Sequence, residues 1–205
     1  MTDQSLLFAY IAAATVLAMT PGVDTAFVIS AAITSDRRAA FMASLGICLG
    51  CLAWGVGVCL GLGALLQTSP TAYTALKYAG ALYLLWLGIG LLLRPRAVVE
   101  VEGELKRNRG GYRLFASGLK INLLNPKVGI FYVTFLPQFV PASADVASYS
   151  LLLASIHVFL SMLWFFCLIV VTSPLCKFLK NPATVKTLDR LTGGIFVMFA
   201  AKLAS

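Results

Sequence analysis

The stretch Leu17–Phe27, LAMTPGVDTAF, lies between LLFAYIAAATV and VISAAI, two segments apolar enough to sit in a bilayer. A proline has no N–H and cannot continue a helix ladder, but it suits the first position of a new helix. A threonine before it has the chemistry of an N-cap, accepting bonds from the amides of the next turn. TPGVD therefore reads as a helix restart. Thr20 caps, Pro21 opens, Gly22 keeps the backbone accessible, and Asp24 falls in the first turn.

The same grammar recurs about a hundred residues later in NLLNPKVGIF, where Asn125 stands as cap, Pro126 as opener and Lys127 as the charge beside them. Backbone groups freed at such breaks cannot face lipid, because each unsatisfied one costs several kcal/mol there. They must face protein or a watery cavity. Two half-helix N-termini converging on one cavity would present positive dipole ends to a carboxylate. An amino acid carries a carboxylate and an ammonium, so helix ends and Lys127 suit the first and Asp24 the second. A buried Asp24 also has the chemistry of a proton carrier, since an intramembrane carboxylate is expensive when ionised.

Composition sets the solvent. The 205 residues are 60% hydrophobic and 12% charged, with a mean hydropathy of +0.89, whereas soluble domains are about a quarter charged. The chain reads as an all-α polytopic membrane protein forming a single transporter domain over residues 1–205. MTDQS lacks the basic residues of a signal peptide. The net charge of +8 does not point to nucleic acid, because the basic residues lie in loops beside apolar spans, as membrane topology requires.

Six crossings are expected, at about Ser5–Ile33, Ala39–Leu66, Tyr73–Leu93, Leu114–Phe139, Tyr149–Val171 and Thr187–Leu203. Basic residues cluster in the first, third and fifth connections, at Arg37 and Arg38, Arg94 to Arg113, and Lys177, Lys180 and Lys186. The positive-inside rule then places those loops in the cytoplasm and both termini outside, with Tyr73 and Tyr149 at the outer interface. Two three-helix halves would insert in opposite directions, the inverted repeat of many secondary transporters. Repeat 1 would cover about residues 5–93 and repeat 2 about 114–205, joined by a cytoplasmic linker over 94–113, with the first and fourth helices broken at Pro21 and Pro126. Trp54 is echoed by Trp164, and KYAG (77–80) by RLTG (190–193).

Several residues admit more than one reading. Lys127 either receives substrate, snorkels, or pairs with Asp24. Asn122 and Asn125 either line the site or cap and pack. His157, the only histidine, is either a proton relay or a hydrogen-bonded core residue. Cys48 and Cys51 have CxxC spacing, but with no further ligands nearby they read as small packing residues, and no metal or cofactor is expected. Gly46, Gly50, Gly57, Gly61 and Gly63 read as a helix-packing series. The alternating EVEGE of the linker reads as a solvated segment.

TPGVDT, SDRRAAFMASLGICLG, KYAGALYLLWLGIGLL and GLKINLLNPKVGIFYVTFLPQFV together resemble the LysE/RhtB-type amino-acid exporters, in order and over nearly the whole chain. The resemblance implies a bacterial inner-membrane exporter of amino acids or related small metabolites, driven by proton exchange. It carries Pro21, Gly22 and Asp24 onto the family's first-helix motif, and Asn125, Pro126 and Lys127 onto its fourth. Val23 stands where many members have a second proline, which implies a gentler break. CLAWG stands where a second-helix histidine is frequent, so any role of that histidine is absent or moved. With no surplus of acid to meet a cationic side chain, the reading leans to neutral substrates such as homoserine, threonine or a branched-chain amino acid. A channel for a small metabolite or ion is the alternative, and an intramembrane enzyme fits least. The partners expected are the substrate, protons and the bilayer; a homo-oligomer is admitted but not demanded.

Overall fold

The computed structural model describes residues 3–68, 70–95, 110–141, 143–170 and 181–204, and among them the chain forms eight helices and no strand. Helix α1 (Asp3–Met19) ends at the first break and α2 (Val23–Thr34) follows it at an angle of 50°. Helix α3 (Arg37–Thr68) and α4 (Pro70–Leu93) come next. After the linker, α5 (Gly111–Leu123) leads to the second break and to the short α6 (Pro126–Ile130). That helix runs on through a π-helical turn, Phe131–Phe135, and a 3-10 turn, Leu136–Phe139. Helices α7 (Val146–Val170) and α8 (Pro182–Ala204) complete the chain.

By length and composition two described helices can cross a membrane, the Arg37–Gly61 part of α3 and α7. The bent pair α1–α2 makes a third if it is one broken span, and α4 contributes a shorter apolar run, Tyr78–Leu93. The expected fourth and sixth crossings do not meet that criterion as single helices. Helix α5 has 13 residues, about 20 Å at 1.5 Å per residue, before Asn125 interrupts it. Helix α8 starts earlier than expected, at Pro182, and carries Lys186, Asp189 and Arg190 in its first half. Its start repeats the Asn-Pro grammar, with Asn181 Oδ1 accepting from the Ala183 amide at 2.9 Å. At the start of α7, Asp145 Oδ1 accepts from the Ser148 hydroxyl (2.7 Å) and amide (2.9 Å). Those two bonds hold the Asp145 carboxyl below the usual carboxylate range. The linker residues 96–109, with EVEGE, and Cys176, Lys177 and Lys180 lie outside the described residues, as do the side chains of Tyr73 and Lys77 and the surroundings of Gly63.

Helix α3 is the hub. It packs against α5, α7 and α2, while α4 packs on α8 and α1 on α7. One buried cluster gathers Tyr10 with Phe131, Phe135, Phe139 and Phe199, so the turns after α6 close over α1 and α8. A second gathers Phe27 and Val28 of α2 with Ala43 and Ile47 of α3 and Phe165 of α7. Small residues set the α3–α5 approach, as close backbone packing in membranes requires. A Cβ on Gly46 would stand 2.0 Å from the Phe115 carbonyl oxygen, and one on Gly118 2.3 Å from that of Ala43. Gly57 and Gly61 do not continue this series, because nothing lies within 4 Å of the position a Cβ would take. They lie on the same side of α3 as Gly46 and Gly50 but further along it, where no described atom packs against them.

The two kinds of glycine should separate experimentally. Gly46→Ala must push α5 off α3, and overpacking of this kind costs about 1–3 kcal/mol. The thermal unfolding midpoint of the purified protein in detergent should fall clearly for Gly46→Ala. Gly57→Ala, with open space to fill, should leave it unchanged or slightly raised.

Candidate functional site

The first break is built differently from its sequence reading. Thr20 does not cap α2. Its amide donates to the Val16 carbonyl (2.9 Å) and its hydroxyl donates to the same oxygen (2.6 Å), which finishes α1. The hydroxyl also pairs with that of Thr192 on α8. A threonine hydroxyl in a final helical turn can bond back to the i−4 carbonyl as readily as forward to a new helix, and here the buried partner on α8 favours the first. The cap position of α2 falls instead to Gly22, in extended backbone (φ −155°, ψ −170°), which has no side chain to offer. The first amides of α2 therefore receive no side-chain cap, and the positive end of its dipole is open to whatever faces it.

The second break follows its sequence reading. Asn125 caps α6, its Oδ1 accepting from the Lys127 amide at 3.1 Å, with Pro126 in the first helical position. The same side chain has a second bond: its Nδ2 donates to Asp24 Oδ1 at 3.3 Å. Asn122, one turn earlier and fully buried, donates from Nδ2 to Asp24 Oδ2 at 2.8 Å. One carboxylate on α2 thus joins both ends of the second break. Gly50 makes this possible, since a Cβ there would come within 2.5 Å of Asn122 Oδ1. Asn122 Nδ2 also reaches Cys51 Sγ at 3.4 Å, while its Oδ1 is buried without a hydrogen-bond partner.

Between the breaks lies a cavity of about 40 Å³, whose walls include Thr20, Gly22, Asp24, Asn125, Lys127 and His157. Lys127 Nζ stands beside Gly22, 3.8 Å from where a Cβ would be. His157 is buried, with Nδ1 2.9 Å from the Tyr132 hydroxyl. Of the residues singled out in the sequence, Thr20, Gly22, Asp24, Asn125, Lys127 and His157 thus meet on one cavity. Asn122 stands behind Asp24, Pro21 is buried at the turn, and Pro126 faces a different, larger cavity. A water-sized site of this volume holds a few small polar atoms, with an acid, a base and an open helix end around them.

The family description "LysE type translocator" matches residues 15–205. The chain belongs to that family. A leucine efflux protein of Enterobacter sp. (strain 638) is 32% identical over 203 residues, covering 96% of this chain and 93% of the relative. A homoserine/homoserine lactone efflux protein of Salmonella typhi is 31% identical over 199 residues, 97% of this chain and 95% of the relative. An uncharacterised membrane protein of Bacillus subtilis (strain 168), YrhP, is 31% identical over 203 residues, 96% and 97% respectively. No solved structure matches the chain. The two relatives whose names state an activity are efflux proteins, not enzymes, so the enzyme reading is set aside.

Within this LysE-type chain four residues have contacts or positions that the sequence reading did not assign. Cys51 supports Asn122, Tyr132 holds His157, and Ser161 lines the cavity. The fourth, Asp189, is fully buried on α8 one turn before Thr192. Asp189 stands beside Lys186 and Arg190 in the polar first turns of α8, so nothing local marks the burial of any of the four.

The Asp24–Asn122 bond should be measurable by itself. Removing one partner of a buried charged hydrogen bond costs about 1–3 kcal/mol, while replacing both by apolar groups can be nearly neutral. Asn122→Leu should therefore lower the unfolding midpoint in detergent, and adding Asp24→Leu should restore most of the loss. Additive losses in that double-mutant cycle would show that the pair is not coupled.

Proposed function

We propose that the protein exports a neutral amino acid from the cytoplasm across the bacterial inner membrane in exchange for protons. The observation that carries this reading is Asp24, held by Asn122 and Asn125 at the wall of the cavity between the two helix breaks. The substrate ammonium binds the Asp24 carboxylate, and its carboxylate meets the uncapped amides of α2 and the Lys127 ammonium. Because Asn125 already caps α6, α2 is the open helix end for the carboxylate.

Coupling follows from occupancy. A proton and an ammonium group compete for one carboxylate, so the site carries substrate outward with Asp24 ionised and returns with Asp24 protonated. An ionised, empty Asp24 in the membrane is the costly state, which discourages return without a proton. His157, on the cavity wall and fixed through Nδ1 by Tyr132, relays that proton. The names of the efflux relatives, leucine on one side and homoserine on the other, support neutral substrates.

The alternation itself fits an inverted repeat of two three-helix halves, about 5–93 and 114–205, within one domain. Pairing the bent α1–α2 with α5–α6, α3 with α7, and α4 with α8 gives several packed pairs a counterpart. Helix α3 then meets its counterpart α7, α4 meets α8, and the α3–α5 contact corresponds to α7–α1. The basic connections, by the positive-inside rule, support both termini outside.

The test is export from cells. Asp24→Asn should remain in the membrane at normal level and abolish release of the transported amino acid. His157→Leu should slow release several-fold without abolishing it. Normal release from Asp24→Asn would remove the proton-carrier role.

A further inference from the structure

A second and much larger cavity, about 580 Å³, lies between α3, α4 and the second break. Asn125 belongs to its wall and to the wall of the small polar cavity, so the two spaces adjoin at that residue. They differ in chemistry. The small cavity has Asp24, Lys127 and His157; no charged side chain lines the large one, whose walls are mainly Trp54, Ala79, Tyr83, Ile130 and Val133. They also differ in size, since about 40 Å³ accommodates a few polar atoms but not a whole amino acid.

We infer that the large cavity receives the side chain of the transported molecule, with Asn125 dividing head from tail, and that the substrates are amino acids with branched or larger apolar side chains. This inference rests on the reading that the Asp24 cavity binds the α-ammonium and α-carboxylate. A head group filling that cavity leaves no room there for its side chain, and the larger space begins on the other side of Asn125. A lysine or arginine side chain entering there would lose its water and find no carboxylate. The Trp54 indole N–H is buried with no hydrogen-bond partner, and as a donor it offers a cationic side chain nothing. The ring packs against α6 at Gly129, where a Cβ would stand 2.8 Å from it, so α6 bounds the cavity on that side. The space has room and apolar walls for a leucine, methionine or phenylalanine side chain; alanine offers it only a methyl group.

Ala79→Trp and Val133→Phe narrow the cavity beside Trp54 and Tyr83 from two different helices without touching the polar site. Export from cells expressing each variant is compared with wild type for alanine, valine, leucine, phenylalanine and lysine. Wild type should release leucine and phenylalanine best and lysine not at all. In hydrophobic pockets a single methylene discriminates about 10–200-fold. At least one of the two variants, present in the membrane at wild-type level, should lower leucine and phenylalanine release tenfold or more. The same variant should leave alanine release within about twofold. An unchanged substrate profile in both variants would overturn the inference, since the cavity would then be a groove for lipid. Equal loss of every amino acid in both, or wild-type preference for lysine, would overturn it as well. Failure of the underlying reading looks different: wild type then releases no amino acid at all, or Asp24→Asn releases them normally.

Discussion

An ionised carboxylate at the centre of a bilayer costs about 2.5–3.5 kcal/mol even on insertion scales, and Asp24 stands in the first turn after a break within a bent pair of apolar helices. The rest of the site is arranged around meeting that cost. Asn122 and Asn125 bring amide donors from the other half of the chain. Gly50 clears the space that the Asn122 amide needs, and Gly46 and Gly118 bring α3 and α5 close enough for the approach. Asn125 can serve Asp24 only because it is also the cap of α6, which fixes its side chain from the other end. The close α3–α5 packing and the second break are therefore parts of one solution to a single electrostatic problem.

That arrangement makes the two breaks chemically unequal. One helix start is closed by Asn125; the other, at Gly22, has no cap and a lysine ammonium nearby. On the proposed reading a zwitterion would lie with its ammonium toward Asp24 and its carboxylate toward α2. Its side chain would then be directed toward the apolar space beyond Asn125. Binding polarity, coupling and selectivity would share one residue pair, Asp24 and Asn125.

Much of this was legible in sequence because proline and its neighbours leave a local mark. TPGVD and LLNPK announce breaks wherever they sit, and Asn-Pro announces a capped start, as Asn181-Pro182 also does for α8. What failed depended on partners that arrive from elsewhere. Thr20 had the right chemistry for a cap, but a buried threonine on α8, 172 positions away, and its own i−4 carbonyl claimed its hydroxyl. Gly46 and Gly57 look alike in the sequence; only one of them faces another helix. Cys51 was read correctly as a buried small residue, yet its contact with Asn122 has no sequence signature. The family match extends over residues 15–205 and so includes both breaks.

The central claim is that substrate ammonium and proton use the same carboxylate in turn, and the most direct test is to watch both move at once. Purified protein is reconstituted into liposomes loaded with an exported amino acid and a trapped pH-sensitive dye, with the membrane potential clamped, and diluted into amino-acid-free buffer. The lumen should acidify in step with amino-acid release, and Asp24→Asn should abolish both signals together. Release at the wild-type rate with no change in lumenal pH would contradict the account.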